Sequence, residues 1–231
     1  MFHPYASVTG VFREDMEGYK GPIGCSIASH QFYETDLSRG FVRGYSFQMV
    51  RSSGPVHTAM GGIGGQLTPW GQDHRNVFSR RFNRNFSIAI VGDDLPELHN
   101  CVVLDDNTDG DGVPAPKVSY KLSENSRKML DHGIARATEV LEAGKAEEVL
   151  VNPLLGAAGW HLMGTARMGT DPDKSVVDPW GRCHDIKNLF IIDGSIFVTA
   201  GAVNPTSTIQ ALALYIGDYV KKNARHLLDI G

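Results

Sequence analysis

Four short runs rich in β-branched and aromatic residues, fenced by glycine, proline or polar turn residues, constrain this chain more than any other feature. They are Val8–Phe12, Ile23–Ala28, Arg43–Val50 and Asn85–Val91. Runs of this length and composition predict strands. The last alternates apolar with polar residues, the pattern of a strand with one buried face. Asn100–Leu104 and Lys117–Leu122 read as a hairpin around a loop rich in glycine and aspartate. These pieces predict an α+β protein with a mostly antiparallel sheet.

One helix is clear. Leu130, Ile134, Ala137 and Leu141 recur at steps of four, three and four, and Gly144 closes the run. Ser123 supplies an N-cap oxygen, and Glu124 suits the positive helix end. His132 lies off the Leu130/Ile134 stripe and is expected at the surface. The helix itself is expected to serve packing.

At 231 residues the chain can bury a sizeable core in one or two domains. An apolar content of 42% with 21% charged residues fits a soluble globular protein. A formal net charge of −4, with no basic run, argues against a nucleic-acid partner. No apolar stretch reaches membrane-spanning length. Cys25, Cys101 and Cys183 form no C-x-x-C pair and read as three isolated thiols, with one disulfide open in an oxidising compartment.

No metal is expected. Asp105-Asp106-Asn107-Thr108-Asp109-Gly110 imitates the opening of a calcium loop, but its twelfth position is Pro116, which offers no side-chain ligand. A solvated turn is the better reading. Asp171, Asp173 and Asp178 are interleaved with Pro172 and Pro179, which points to successive turns, and no zinc spacing occurs there. His57, His74 and His99 carry no partner pattern. Trp70 and Tyr45 are candidate pocket aromatics, with core packing the safer reading of each.

The character of the chain changes near 153–158. Gly156, Gly159, Gly164 and Gly169 permit an irregular course around His161. Leu189–Ile192 reads as a short apolar strand of the parallel-sheet kind, running into the turn Asp193-Gly194-Ser195. Pro205 suits the first position of a helix through Ile209, Leu212, Ala213, Ile216 and Val220.

Taken in order, the run Gly159-Trp160-His161-Leu162-Met163-Gly164-Thr165-Ala166-Arg167-Met168-Gly169, the Asp193-Gly194-Ser195 turn and Asn204-Pro205-Thr206-Ser207-Thr208 resemble the carboxyl end of the glucose-methanol-choline (GMC) flavoenzymes. The resemblance is tight over 159–220, looser before it, and strongest toward bacterial sugar, gluconate and polyol dehydrogenases. It implies FAD-dependent oxidation of a CH–OH group of a sugar or polyol, with hydride passing to flavin N5. Residues 1–155 would form the substrate-binding domain. Residues 156–231 would be the carboxyl-terminal part of an incomplete FAD-binding α/β domain carrying the catalytic residues.

His161 would be the base, a task suited to a side chain that titrates near neutral pH. A lone histidine is more often a satisfied core residue; the glycine-rich surroundings and the resemblance reverse that prior here. Asn204 either caps the following helix, which the residues alone favour, or positions the substrate oxygen, which the resemblance favours. Asp193, Gly194, Pro205 and Thr206 would meet the cofactor. Because Pro205 lacks an N–H, Thr206 and Ser207 supply the next donors at the helix start. Arg167 is read first as a structural residue.

No G-x-G-x-x-G run of the kind that holds the ADP half of FAD occurs; the one dense glycine cluster, Gly61–Gly65, is followed too soon by Pro69 and Gly71. The opening Met1-Phe2-His3-Pro4 resembles the middle of a family segment. The chain is therefore expected to be a carboxyl-terminal portion, inactive alone, whose partners are an amino-terminal FAD-binding segment and a cytochrome or small subunit as in related dehydrogenases. Two alternatives stand beside this: an oxygen-reducing oxidase of the same family, and a non-catalytic remnant or binding module. Localisation, bacterial periplasm or cytoplasm, is not fixed by these residues.

Overall fold

Alternation along the amino-terminal strands is what assembles the main sheet. In a computed structural model, which describes residues 1–21, 24–51, 54–60, 68–155 and 161–227, β1 is Tyr5–Val11, β2 Cys25–Ser29, β3 Tyr45–Val50 and β4 Asn85–Gly92. The hairpin strands are β5, Cys101–Thr108, and β6, Pro114–Ser119, and β7 is Glu148–Asn152. The helices are α1 (Pro55–Met60), α2 (His74–Arg81), α3 (Glu124–Ala143) and α4 (Thr206–Leu227). The protein is α+β with antiparallel sheets. Among the described residues no helix is long and apolar enough to cross a membrane.

The chain divides into two compact units that interleave in sequence. One comprises Pro4–Asp93 with the described part of 124–160; the other comprises Met1–His3, Asp94–Ser123 and the described part of 161–231.

The first unit is a five-stranded antiparallel sheet in the order β2-β3-β4-β1-β7. Ala6 faces Ile90 and Val8 faces Ile88 across β1 and β4, and all four are buried. Alternation sends Ala89 and Val91 to the opposite face, where they cluster with Tyr5 and Leu155. Helix α3 covers the Ile90 side with Met129, Leu130, Ala137 and Leu141. Close approach requires Gly133, where a Cβ would come 2.8 Å from Ile90 Cγ2. All four predicted strands and the helix after Ser123 are present, while β7, α1 and α2 had no assignment.

Two side chains in this unit sit differently from expectation. His132 is half-buried rather than on the surface: its Nδ1 lies 2.8 Å from the Tyr45 hydroxyl, and Phe32 and Phe41 flank its ring. A helix's own periodicity does not report aromatics that reach over it from other elements. Trp70 is 76% exposed and stacks on His74, so it is not a core residue, whereas Tyr45 is fully buried. The Gly61–Gly65 cluster lies outside the described residues.

In the second unit β5 and β6 form the expected hairpin. The calcium-like run is partly strand: Asp105 accepts the Asn107 amide at 3.0 Å, and Asp109 accepts those of Asp111 and Val113, both at 2.9 Å. These carboxylates turn their own backbone, and no group of three potential metal ligands occurs among the described residues. Asp171 and Asp178 likewise close turns on the amides of Asp173, Trp180 and Arg182. Cys101 and Cys183 are free thiols.

The core of this unit is Val177, Ile196 and Ile216, with Met168, Ile191, Phe197, Leu212 and Val220 packed around them. The expected strand at Leu189–Ile192 is not formed. Phe190 makes an isolated antiparallel bridge to Arg182, and Leu189 and Ile192 stay exposed. A parallel strand is completed by neighbours on both sides; here the described residues supply only that bridge. Helix α4 uses the apolar face expected of it, with Ile216 buried.

Candidate functional site

All the predicted site residues fall in the second unit. His161 has φ +56°, a left-handed conformation that non-glycine residues seldom adopt. Its Nδ1 is buried with no hydrogen-bond partner among the described residues. Burial also holds its pKa below the ordinary 6.5, so the ring is neutral near pH 7 and able to accept a proton. An unusual backbone and a buried nitrogen without a partner among the described residues make His161 a candidate for a role other than packing.

The segment after His161 runs beside the Asp193 turn. Gly164, Ala166 and Met168 donate in succession to the carbonyls of Gly194, Ser195 and Ile196 at 3.2, 2.9 and 2.9 Å. Gly164 has φ +82°, and a Cβ there would lie 2.7 Å from Met1 Cε and 2.9 Å from the Phe197 carbonyl. Glycine is required on both counts. Asp193 Oδ1 accepts the Ser195 amide at 2.7 Å and opens a 3-10 turn over Gly194–Ile196. Hydrogen bonds from Ser195 hold the Asp193 carboxyl below its ordinary pKa.

Gly194 is the meeting point. A Cβ on it would come 3.2 Å from the Leu162 carbonyl and 3.3 Å from Ile209 Cδ1. The backbone next to His161, the Asp193–Gly194 turn and the first turn of α4 therefore converge on one glycine. At the start of α4 the Pro205 carbonyl accepts the Ile209 amide at 2.9 Å. This places Pro205 at the cap position rather than the expected first helical residue, with Asn204 one residue before it. Proline's missing N–H is no cost at either position. Asn204 and Thr206 are exposed, and Pro205 is buried.

Arg167 donates from Nε to the Lys174 carbonyl at 2.7 Å, in keeping with a structural role. It also lines a cavity of about 390 Å³ with Met1, Glu97, Cys101, Gly164 and Thr165. Two features of the site had no assignment in the sequence. His3 is fully buried and meets the His161 ring edge-on at 5.0 Å. Asp94, 1% exposed, accepts from the Tyr120 hydroxyl at 3.1 Å and from the Phe2 amide at 3.4 Å. Burial, reinforced by the Asp94 carboxylate, raises the pKa of the Tyr120 phenol and holds it protonated. The His3-Pro4 dipeptide was visible in the sequence, but nothing in it placed His3 beside His161.

A chain with a mostly antiparallel sheet, and with a histidine, an Asp-Gly turn and a helix start gathered at one glycine, matches a known family over more than half its length. The GMC oxidoreductase model matches residues 96–213, and the chain belongs to that family. It is 43% identical to a 2-methyl-1,2-propanediol dehydrogenase of Mycolicibacterium austroafricanum over 99% of this chain and 42% of that protein. It is 36% identical to the fructose dehydrogenase large subunit of Gluconobacter japonicus over 54% of this chain and 23% of that protein. The crystal structure of pyridoxine 4-oxidase from Mesorbium loti superposes with a TM-score of 0.56 at 14% identity, covering 95% of this chain and 42% of that one, a likeness of fold. The chain thus spans less than half the length of these relatives.

Proposed function

We propose that this chain forms the catalytic carboxyl-terminal part of an FAD-dependent oxidoreductase that oxidises a CH–OH group of a sugar or polyol. The observation that carries the reading is His161: a neutral imidazole in left-handed backbone, its Nδ1 buried, beside the turn that Gly194 ties to α4. Burial of Nδ1 leaves Nε2 to meet the substrate hydroxyl and take its proton. The family membership and the similarity to a diol dehydrogenase support the substrate class.

The residues present fit the cofactor. Gly194 offers backbone with no Cβ, and the first-turn amides at Thr206 and Ser207 have no carbonyl partner within the helix. Asp193, Gly194, Pro205 and Thr206 would line the flavin, whose ring, when bound, supplies the hydride acceptor. Donors at a positive helix end suit negative charge there. Asn204 would hold the substrate oxygen through its side-chain amide; the cap position itself belongs to Pro205. We assign the substrate-facing role to residues 1–155 and the cofactor-facing role to 156–231, although segments 1–3 and 94–123 pack with the carboxyl-terminal part. The partners are an amino-terminal FAD-binding segment and a second subunit or cytochrome, in line with the fructose dehydrogenase relative being a large subunit.

His161→Ala in the flavin-loaded protein that contains this chain tests the reading. Loss of a positioned proton acceptor should slow flavin reduction by ~10²–10⁴-fold while flavin content stays at the parental level. Parental reduction rates would remove His161 as the base, and loss of flavin or of folding would make it a structural residue.

A further inference from the structure

Among the described residues nothing hydrogen-bonds His161 Nδ1, and something else must set the plane of its ring. The register of the amino-terminal segment supplies it. The Met1 nitrogen donates to the Met163 carbonyl at 3.0 Å, and the Met163 amide returns a bond to the Met1 carbonyl at 3.0 Å. Two residues that exchange both bonds are directly opposed antiparallel partners. Two steps along each segment lead from Met1 to His3 and from Met163 to His161. His161 leaves the extended course there, with φ +56°, and its ring still comes back against that of His3. The ring centroids are 5.0 Å apart, with planes at 77°.

The segment is fixed on its other side as well. Phe2 turns away from the histidines: its amide donates to Asp94 and its ring lies 4.0 Å from that of Tyr120. Gly164 lets the Met1 side chain approach, where a Cβ would come 2.7 Å from Met1 Cε. His3 itself is completely buried.

We propose that His3 is a positioning residue for His161: its buried ring, packed edge-on, holds the His161 imidazole at the depth and angle from which it can act. The proposal rests on the reading of His161 as the base. Among the described residues burial is the one cause of the lowered His161 pKa. Replacing the His3 ring by an aliphatic side chain takes away the edge that fixes the His161 imidazole and lets it tilt toward water.

The test compares His3→Leu with His3→Phe. The first readout needs no flavin: the His161 proton resonance of this chain, assigned by its disappearance in His161→Ala, is followed through a pH titration. The second is the pH profile of flavin reduction in the flavin-loaded protein. His3→Leu should raise the His161 titration midpoint toward the ordinary 6.5 and slow reduction at least tenfold. His3→Phe keeps an aromatic edge and should restore both toward the parent. A parental midpoint and a parental rate in His3→Leu would overturn the proposal, as would a Phe variant as impaired as the Leu variant. Should His3→Leu fail to fold, the Phe variant decides alone, since loss of the parental midpoint in a folded Phe protein overturns the packing role. A parental reduction rate in His161→Ala would sink the base reading itself, whatever the His3 variants do.

Discussion

Asp193 holds the amide of Ser195 at 2.7 Å through one carboxylate oxygen, so the side chain expected against the cofactor is also the one that turns the backbone there. Both tasks can coexist because a carboxylate has two oxygens. Oδ1 takes the Ser195 amide, and each carboxylate oxygen can accept more than one bond.

The two tasks separate by substitution. Asp193→Asn keeps an acceptor for the Ser195 amide and should leave the unfolding free energy within about 0.5 kcal/mol of the parent. Asp193→Ala removes the acceptor and should cost about 1 kcal/mol, the scale of a lost capping side chain. Urea unfolding monitored by circular dichroism measures both. An Asn variant as unstable as the Ala variant would show that charge, rather than the acceptor geometry, maintains the turn.

Stability should fall in mild acid. His161 and His132 both have pKa values lowered chiefly by burial, His132 further by Arg136 and Arg39 against the opposing Glu139 and Asp36. Their unfolded-state value is near 6.5. Between that value and the lower folded one, the unfolded chain binds more protons, so stability is intact above about pH 7 and declines as pH drops below 6.5. The thermal midpoint, followed from pH 8 to pH 5, should be flat at first and then fall. His161→Gln should make the fall shallower. A midpoint that does not change down to pH 5 would contradict the lowered values.

Tyr45→Phe isolates the contact between β3 and α3. It removes a 2.8 Å hydrogen bond to His132 and keeps the ring among Phe32 and Phe47. The cost should be about 1 kcal/mol, because one net bond is lost and a half-buried imidazole nitrogen is left without it. Chemical denaturation gives the value. A neutral substitution would mean that the rings alone hold this end of the helix.

What could be read in advance follows from the range of each interaction. The strands over 5–11, 25–29, 45–50 and 85–92 and helix α3 announce themselves by local alternation or by a stripe of Leu130, Ala137 and Leu141. Strand β7 does not, since Glu148–Asn152 becomes a strand by pairing with β1, far away in sequence. Leu189–Ile192 has the composition of a buried strand and lacks the neighbours to make it one. Of the candidate site, His161, Asp193, Gly194 and Asn204 carry local motifs that single them out. His3 was not recognised as a neighbour of His161, because that pairing depends on the Met1–Met163 register, and no local pattern encodes a register across that separation.

Asn204 is where a cap and a catalyst can be told apart most cleanly. The Pro205 carbonyl accepts the first helical bond of α4, so Asn204 precedes the cap position and its side chain is exposed. Asn204→Asp keeps an oxygen near the helix start and adds a charge that suits its positive end, so the thermal midpoint should stay at or slightly above the parent. The same change removes an amide donor and sets a carboxylate against the negative charge that develops on the substrate oxygen. If Asn204 positions that oxygen, flavin reduction should slow by about 10²–10³-fold, the scale of deleting a transition-state donor. Thermal melting and stopped-flow flavin reduction on the same preparations of the flavin-loaded protein give both numbers. A stable Asp variant that reduces its flavin at the parental rate would take Asn204 out of the catalytic pair and leave His161 to act without it.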